Sequence, residues 1–423
     1  MSESSFLREQ FVNPFTEVQE IAFLAYGCSE FYGEKLRRAK LKPEEIRSIA
    51  DLSRLPFTTR EEIQGKPWAL LTVPKSRICQ INASTSSSKL PRVYIPLSDD
   101  DLYRGGLRPF IRGTSFSPPL PMTIGEEDFV INALPYEVSY LGLLFHRILQ
   151  DGVGAGLVPV GKGGFYSRPE KSLRIMKDLS GDHLFTTPAY AIHLAEKARE
   201  VGYEIGSDLK PKSLWLVGEN CAPALRKRIE ALWKTNAYLC LSSLECGPIA
   251  LECTEKNGMH VATGYVFTEI VPMDDSDLRV PEGSGEIVVT VLWRRSSPLI
   301  RYKTGLIGSL DSTPCPCGLE SPRIRFWGDR TECLELGKSK VSLLDVEDCL
   351  TELPEISPWF YLRSQGDALT VLIPSGMSPQ ERKELRERAE KKLRERLDLP
   401  LRVEVEEHFL TYKGEHWNRI LAS

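Results

Sequence analysis

Ser213-Leu-Trp-Leu-Val217, the turn Gly218-Glu219 and the helical run Pro223–Trp233 decide the fold. Five residues with four large apolar side chains, closed by a glycine, read as a buried strand. The run that follows carries apolar residues at three- and four-residue spacing and reads as a helix. The pattern repeats upstream. Phe129-Val-Ile-Asn-Ala133, Gly156-Leu-Val-Pro159 and His183-Leu-Phe185 read as strands, and Leu141–Leu149, Pro169–Leu179 and Pro188–Val201 as helices. Strands alternating with helices predict an α/β core in which helices cover a largely parallel sheet.

Outward from this core the character changes. Val18–Tyr32 and Pro43–Ala50 read as helical, and Thr58-Thr-Arg-Glu-Glu62 as a capped helix start. Arg77-Ile-Cys-Gln-Ile81 and Val93-Tyr-Ile95 read as extended. Downstream, Val266–Val271, Gly285–Thr290 and Pro298–Tyr302 read as short β segments. Residues 328–423 read as a small α+β unit with helices at Leu343–Leu350 and Gln380–Leu397 and strands at Ala368–Ile373 and Leu401–Val405. The acids and bases of Gln380–Leu397 are interspersed, which predicts a solvated helix face rather than a nucleic-acid or membrane surface.

The chain has 423 residues, 41% hydrophobic and 26% charged, which excludes a disordered chain or a disulfide scaffold. Lys plus Arg is 54 and Asp plus Glu is 58, a net charge of -4 that argues against a general nucleic-acid or membrane binder. The start, Met1-Ser-Glu-Ser-Ser-Phe6, shows no basic region before an apolar run, and no apolar stretch approaches the ~20 residues that span a bilayer. A cytoplasmic protein is expected, and its ten cysteines are then read as thiols or metal ligands before disulfides.

Four of the cysteine and histidine positions form a pattern. Cys253 and His260 flank a turn-forming segment, and Cys315-Pro-Cys317-Gly318 places two thiols at the tip of a knuckle. Cys₃His is a closed tetrahedral set that suits structural zinc and leaves no position for a catalytic water. The competing reading is three unrelated thiols and a surface histidine. Three other features point to a ligand site. Ser84-Thr85-Ser86-Ser87-Ser88-Lys89 is a hydroxyl-rich turn, without the glycines that let a phosphate loop take positive φ. Gly218-Glu219 lies at the carboxyl end of a strand, where open α/β sheets bind ligands. Glu245, between a strand and Gly247-Pro248, could hold Mg²⁺; the competing reading is a surface charge.

In order, these pieces resemble phenylacetate–coenzyme A ligases within the adenylate-forming enzymes. The resemblance rests on Phe31-Tyr-Gly-Glu-Lys35, Leu55-Pro-Phe-Thr-Thr-Arg60, Phe185-Thr-Thr-Pro-Ala-Tyr190, Gly247–Cys253 and Pro298-Leu-Ile-Arg-Tyr-Lys-Thr-Gly305. It implies a large N-terminal domain (1–327) with parallel sheets and an inserted zinc knuckle, and a small mobile C-terminal domain (328–423). It implies activation of an aryl or acyl carboxylic acid by ATP and Mg²⁺, release of pyrophosphate, and displacement of AMP by a thiol such as CoA or a carrier protein. A homodimer is implied too.

By the same resemblance Glu245 holds the metal, and Ser84 to Lys89 contact phosphates. Gly218-Glu219 borders the adenine, Arg330 is the hinge arginine, and Tyr136, Gly142 and Pro248 line the acid pocket. The sequence departs from the family at the nucleotide. The loop glycines are gone, Leu306 stands where an acid usually follows Thr-Gly, and the C-terminal adenylation lysine falls on Glu415 or His416. Lys89 or Lys413 is the expected substitute. The alternative is a zinc-containing relative that binds an acyl, nucleotide or protein ligand without adenylating.

Overall fold

The computed structural model describes residues 14–48, 50–84, 92–105, 124–137, 140–164, 166–273, 278, 280–373, 376–399, 401–407 and 420. Thr85, Ser86, Ser87, Ser88, Lys89 and Lys413 lie outside them. Helices α1 (Pro14–Cys28) and α2 (Glu30–Arg38) open the described chain, and the one-turn helix α3 (Arg60–Ile63) follows. The expected cap is present at α3: Thr59 N–H donates to Glu62 Oε2 at 2.9 Å, and the Thr59 side chain returns the bond. Strands β1 (Ile78–Ala83) and β2 (Tyr94–Ser98) then pair antiparallel on either side of the serine-rich stretch.

The core follows as β3 (Phe129–Asn132), α4 (Leu141–Arg147), β4 (Gly156–Pro159), α5 (Pro169–Asp178), β5 (His183–Thr186), α6 (Pro188–Glu200), β6 (Ser213–Val217), α7 (Pro223–Trp233) and β7 (Asn236–Ser243). Every residue of β6 is buried, as a strand covered on both faces requires. Helix α6 shows how the cover is made. Pro188 fits its first turn, where a backbone N–H is dispensable, and Thr187 Oγ1 accepts from Tyr190 N–H. Its Ala191, Leu194, Ala195 and Ala198 recur at helical spacing and pack into the core.

The chain continues as β8 (Gly247–Glu252), β9 (Met259–Val261), β10 (Val266–Val271), β11 (Gly285–Val291), β12 (Tyr302–Asp311) and β13 (Arg323–Asp329). Among the described residues these complete one eleven-stranded sheet in the order β10-β11-β12-β13-β9-β8-β7-β6-β5-β3-β4. Only β4, β3, β5, β6 and β7 run parallel; from β7 to β10 every pairing is antiparallel. The expectation of a largely parallel sheet is corrected to a mixed one. The parallel half uses helical crossovers, and the antiparallel half is joined by turns and loops.

Pro298–Arg301 is another correction, since the strand begins only at Tyr302. Side chains hold this segment instead. Ile300 N–H donates to Tyr32 Oη at 3.0 Å, and Thr58 Oγ1 donates to Ile300 O at 2.8 Å. Arg301, at φ 45°, grips both oxygens of Glu269 at 2.9 Å. The N-terminal helices are thereby tied to the antiparallel half.

The remaining elements are β14 (Cys333–Leu336), β15 (Ser339–Ser342), α8 (Leu343–Thr351), β16 (Tyr361–Gln365), β17 (Ala368–Ile373), α9 (Pro379–Leu397) and β18 (Arg402–Glu407). They share a hydrophobic cluster of their own, including Val346, Leu350, Phe360, Leu369 and Leu393. This part meets the core through α8. Glu347 Oε2 accepts from Ala222 N–H at 3.1 Å and Asp348 Oδ1 from Ala224 N–H at 2.8 Å, so two carboxylates cap the N-terminus of α7. No described helix is long and apolar enough to cross a membrane.

Candidate functional site

Parallel strands share one carboxyl edge, and the turns beyond it converge. Gly218-Glu219 follows β6 and Ser243–Glu245 ends β7, so two of the expected site segments meet at neighbouring strand ends. Gly218 takes φ 84°, and a Cβ there would lie 2.7 Å from Leu141 Cδ1, so only glycine suits this close approach.

Glu245 is positioned from the far N-terminal side. The capping box sets the entry of α3, and Arg60 Nη1 reaches Glu245 Oε1 at 2.9 Å while Nη2 donates to Ser84 Oγ at 3.2 Å. Glu245 Oε2 makes no hydrogen bond to a described residue. Ser84 is buried and itself anchored, its Oγ accepting from Val93 N–H at 2.9 Å. In the sequence Arg60 reads only as part of a helix start. Nothing local announces that it bridges 185 residues to Glu245.

Glu219 is half of a buried ion pair. Lys162, from the glycine-rich turn after β4, lies 2.6 Å from its Oε1, and Oε2 accepts from Ala189 N–H at 3.0 Å. Both side chains are under a tenth exposed. Removing one partner of such a pair strands the other charge and costs about 3–5 kcal/mol. Lys162→Met is therefore expected to lower unfolding free energy by that order in urea denaturation, whereas Lys162→Arg retains most of it.

Asp329 and Leu306 are cross-strand partners in the β12–β13 ladder. The acid absent at 306 thus has a neighbour on the next strand. Burial, with the carboxylates of Glu332 and Glu245 nearby, pushes Asp329 up to about 6. Its Oδ1 accepts from Thr331 N–H and Oγ1, both at 2.8 Å. Arg330 points to Glu286 at 3.4 Å, and the same Glu286 accepts from Gly305 N–H at 3.0 Å.

Tyr136 and Gly142 lie together: a Cβ on Gly142 would come within 2.6 Å of the Tyr136 ring. The Tyr136 hydroxyl accepts from Asn132 Nδ2 at 2.8 Å and meets His146 Nδ1 at 3.1 Å, on the wall of an open cleft that also includes Arg147 and Gly161. Pro248 is buried in β8 opposite Ser242.

Cys253, His260, Cys315 and Cys317 converge, their ligand atoms all within 4.8 Å of one another. Cys253 Sγ is 3.8 Å from Cys315 Sγ, and Cys317 Sγ is 3.3 Å from His260 Nε2. A tetrahedron with bonds of ~2.3 Å has edges of about 3.8 Å, so the sulfur spacing fits. His260 Nδ1 faces Ser321 O at 3.1 Å, which places the proton there and leaves Nε2 as the ligand atom. Arg323, bonded to Asn257 O at 2.8 Å and Asp311 at 3.1 Å, braces the turn.

No family model matches the chain. It is 26% identical over 362 residues to the phenylacetate-coenzyme A ligase of Thermus thermophilus, covering 82% of this chain and 76% of that one. The Escherichia coli phenylacetate-coenzyme A ligase is 27% identical over 361 residues, covering 82% and 78%. A 2-hydroxyisobutyryl-CoA ligase solved in the postadenylation state with 2-HIB-AMP shares the fold at TM-score 0.84 and 20% identity, over 97% of this chain and 89% of that one. The same ligase in the thioesterification state superposes at 0.66, over 100% and 90%. The chain is thus similar in sequence to phenylacetate-coenzyme A ligases and shares its fold with a 2-hydroxyisobutyryl-CoA ligase.

Proposed function

We propose that this chain activates a small carboxylic acid as its acyl-adenylate and passes the acyl group to a thiol such as CoA. The observation that carries the reading is the Glu245–Arg60–Ser84 constellation at the carboxyl edge of the sheet, in a relative of phenylacetate–coenzyme A ligases. In the first half, an acid oxygen attacks the α-phosphorus of ATP and the bond to the pyrophosphate oxygen breaks. In the second, the thiolate attacks the acyl carbon and AMP leaves. Both halves build negative charge on phosphate oxygens, which preorganised cations and donors stabilise.

Glu245 would hold Mg²⁺ through Oε2 while Arg60 fixes Oε1. Ser84 and the serines after it, with Lys89, would meet the phosphates. Gly218 and Glu219, pinned by Lys162, would border the adenine. Asp329 would supply from β13 the acid that Leu306 lacks on β12. Tyr136, Gly142 and Pro248 would contribute to the acid site. The chain divides at 327/328, with Arg330 just beyond the division, and Lys413 would arrive from the C-terminal part. The Cys₃His cluster would hold one structural zinc. A carrier protein in place of CoA, a homodimer and a cytoplasmic location belong to the same reading.

Acyl-adenylate formation, measured by mass over a panel of aryl and alkyl acids, tests the reading. Glu245→Ala is expected to lower it about 10²–10³-fold, the typical cost of one such group. Arg60→Ala, acting through Glu245, is expected to cost less and to raise the Mg²⁺ concentration needed. Lys89→Ala or Lys413→Ala should cost as much as Glu245→Ala, because one of them must replace the missing lysine. Wild-type protein that forms no adenylate with any acid would end the reading in favour of a binding protein.

A further inference from the structure

The open cleft beside Tyr136 has a volume of about 610 Å³, within the roughly 300–1,000 Å³ that small-molecule sites occupy. Leu143, Pro159 and Val160 give it apolar walls, as an aromatic ring requires. Its charged side chains among the described residues are Glu137, Asp151 and Arg147, two carboxylates against one guanidinium. The cleft borders the turns expected to meet the nucleotide. Gly161 on its wall precedes Lys162, the partner of Glu219. Leu141, next to Gly142, is the side chain that leaves no room for a Cβ at Gly218.

Four side chains along this wall fix one order of hydrogen bonds. Asn132 is fully buried, and its Oδ1 accepts from Leu134 N–H at 3.2 Å. A backbone N–H can only donate, so the amide nitrogen of Asn132 is the end that faces the Tyr136 hydroxyl at 2.8 Å and Gly142 O at 2.9 Å. Tyr136 therefore accepts from Asn132 and sends its own proton to His146 Nδ1 at 3.1 Å. An acceptor at Nδ1 puts the proton of a neutral imidazole on Nε2, which donates to Gln150 Oε1 at 2.9 Å. The phenol proton is used up inside the wall. One lone pair of the Tyr136 oxygen keeps no partner among the described residues, so Tyr136 offers the cleft an acceptor and no donor.

Resting on the reading that this chain activates a carboxylic acid, we propose that the cleft holds the ring of an aryl acid that carries an N–H or O–H group. His146 is the positioning residue that sets this selectivity, because it holds Tyr136 as an acceptor. A bare ring leaves the lone pair of Tyr136 unmet, and a ring group that only accepts is set against it, lone pair to lone pair. A site built to hydrogen-bond a substrate group rejects the analogue lacking it more strongly than an apolar pocket rejects a missing methylene.

The test compares amino-, methyl- and methoxyphenylacetate, each substituted at ring position 3 or 4, at pH 8, where an arylamine is neutral. Binding to the full chain is measured by calorimetry, and kcat/KM by acid-dependent pyrophosphate exchange. The wild type is expected to favour the amino over the methyl acid by about 3- to 10-fold, the worth of a neutral hydrogen bond, and to give the methoxy acid no advantage. His146→Leu removes the acceptor, so the Tyr136 proton turns to the cleft and the order inverts. The methoxy acid then leads the methyl acid by a similar factor, and the amino acid loses its lead. Tyr136→Phe levels all three. Damage to the fold would lower the three acids together without inverting them. Should His146→Leu not fold, the levelling in Tyr136→Phe carries the test. Wild-type protein that binds none of these acids, or shows no amino preference, overturns the selection, and exchange with alkyl acids would still leave acid activation standing. An amino preference that survives Tyr136→Phe overturns the selection too, and one that survives His146→Leu alone overturns the role of His146. Amino-selective binding that both variants abolish, without exchange for any acid, supports the selection and overturns acid activation.

Discussion

Purified protein is expected to carry about one zinc per chain, and Cys317→Ser to lose it together with a large part of the stability of the sheet. The size of the effect follows from where the cluster sits. Strand β9 has three residues and meets β13 through only two register pairs, Arg323 with His260 and Ile324 with Met259. This short ladder is the seam between β13 to β10 on one side and β9, β8 and the parallel strands on the other. Cys253 and His260 lie on one side of the seam, and Cys315 and Cys317 on the turn of the other. A tetrahedral ion would cross-link the two halves where hydrogen bonding is sparsest.

Structural zinc contributes an apparent ~10–16 kcal/mol in small zinc domains. Loss of the ion from this larger fold is expected to cost at least roughly 3–5 kcal/mol. Melting followed with metal analysis checks it. Cys28→Ser, an exposed thiol outside the cluster, should change neither quantity. Absence of zinc together with unchanged melting of Cys317→Ser would leave four close side chains without a metal role.

Local chemistry was legible in the sequence where it is written locally. The capping box at Thr59 and Glu62, the buried strand Ser213–Val217 and the proline-started helices α6 and α7 are all set by neighbours within four residues. The antiparallel half was harder. Strand β7 runs into β8 through Leu244-Glu245-Cys246, with polar serines at its end and Pro248 inside the next strand, so neither shows a clean alternation. Pro298–Arg301 has strand composition, but Tyr32 and Thr58, more than 240 residues away, take its backbone bonds. The Cys₃His set stood out because few other residue types could replace it. Arg60, Lys162 and Asp329 did not, since each acts through a partner far away in sequence or on a neighbouring strand.

Asp329→Asn is expected to make the protein more stable and its nucleotide binding worse. The folded state holds the Asp329 proton up to about pH 6, against 3.8 for an ordinary aspartate. Below pH 4 the carboxyl is protonated in both states, and its contribution to stability is fully present. As the pH rises through 6 the folded protein must ionise a crowded, half-buried carboxyl near Glu245 and Glu332, and that stability is lost. Asparagine cannot ionise. Its advantage should therefore be near zero at pH 4, grow between pH 4 and 6, and level off at up to about 3 kcal/mol, the full worth of a shift from 3.8 to about 6. Melting at pH 4.5 and pH 8 reads it directly. On the proposed function, the same anion, cross-strand from Leu306, would be the acceptor for the ribose hydroxyls. Its loss should weaken ATP and AMP binding at pH 8 by roughly 10- to 100-fold, as for a hydrogen bond to a charged group. Binding by the wild type should also fall as the pH drops through 6, while binding by the variant stays flat across that range. A variant that gains stability with unchanged nucleotide affinity would make Asp329 a strained core acid and move the ribose elsewhere. A carboxyl that keeps this strain only to face a sugar would be stability given up for a ligand, and the two measurements on one substitution separate those cases.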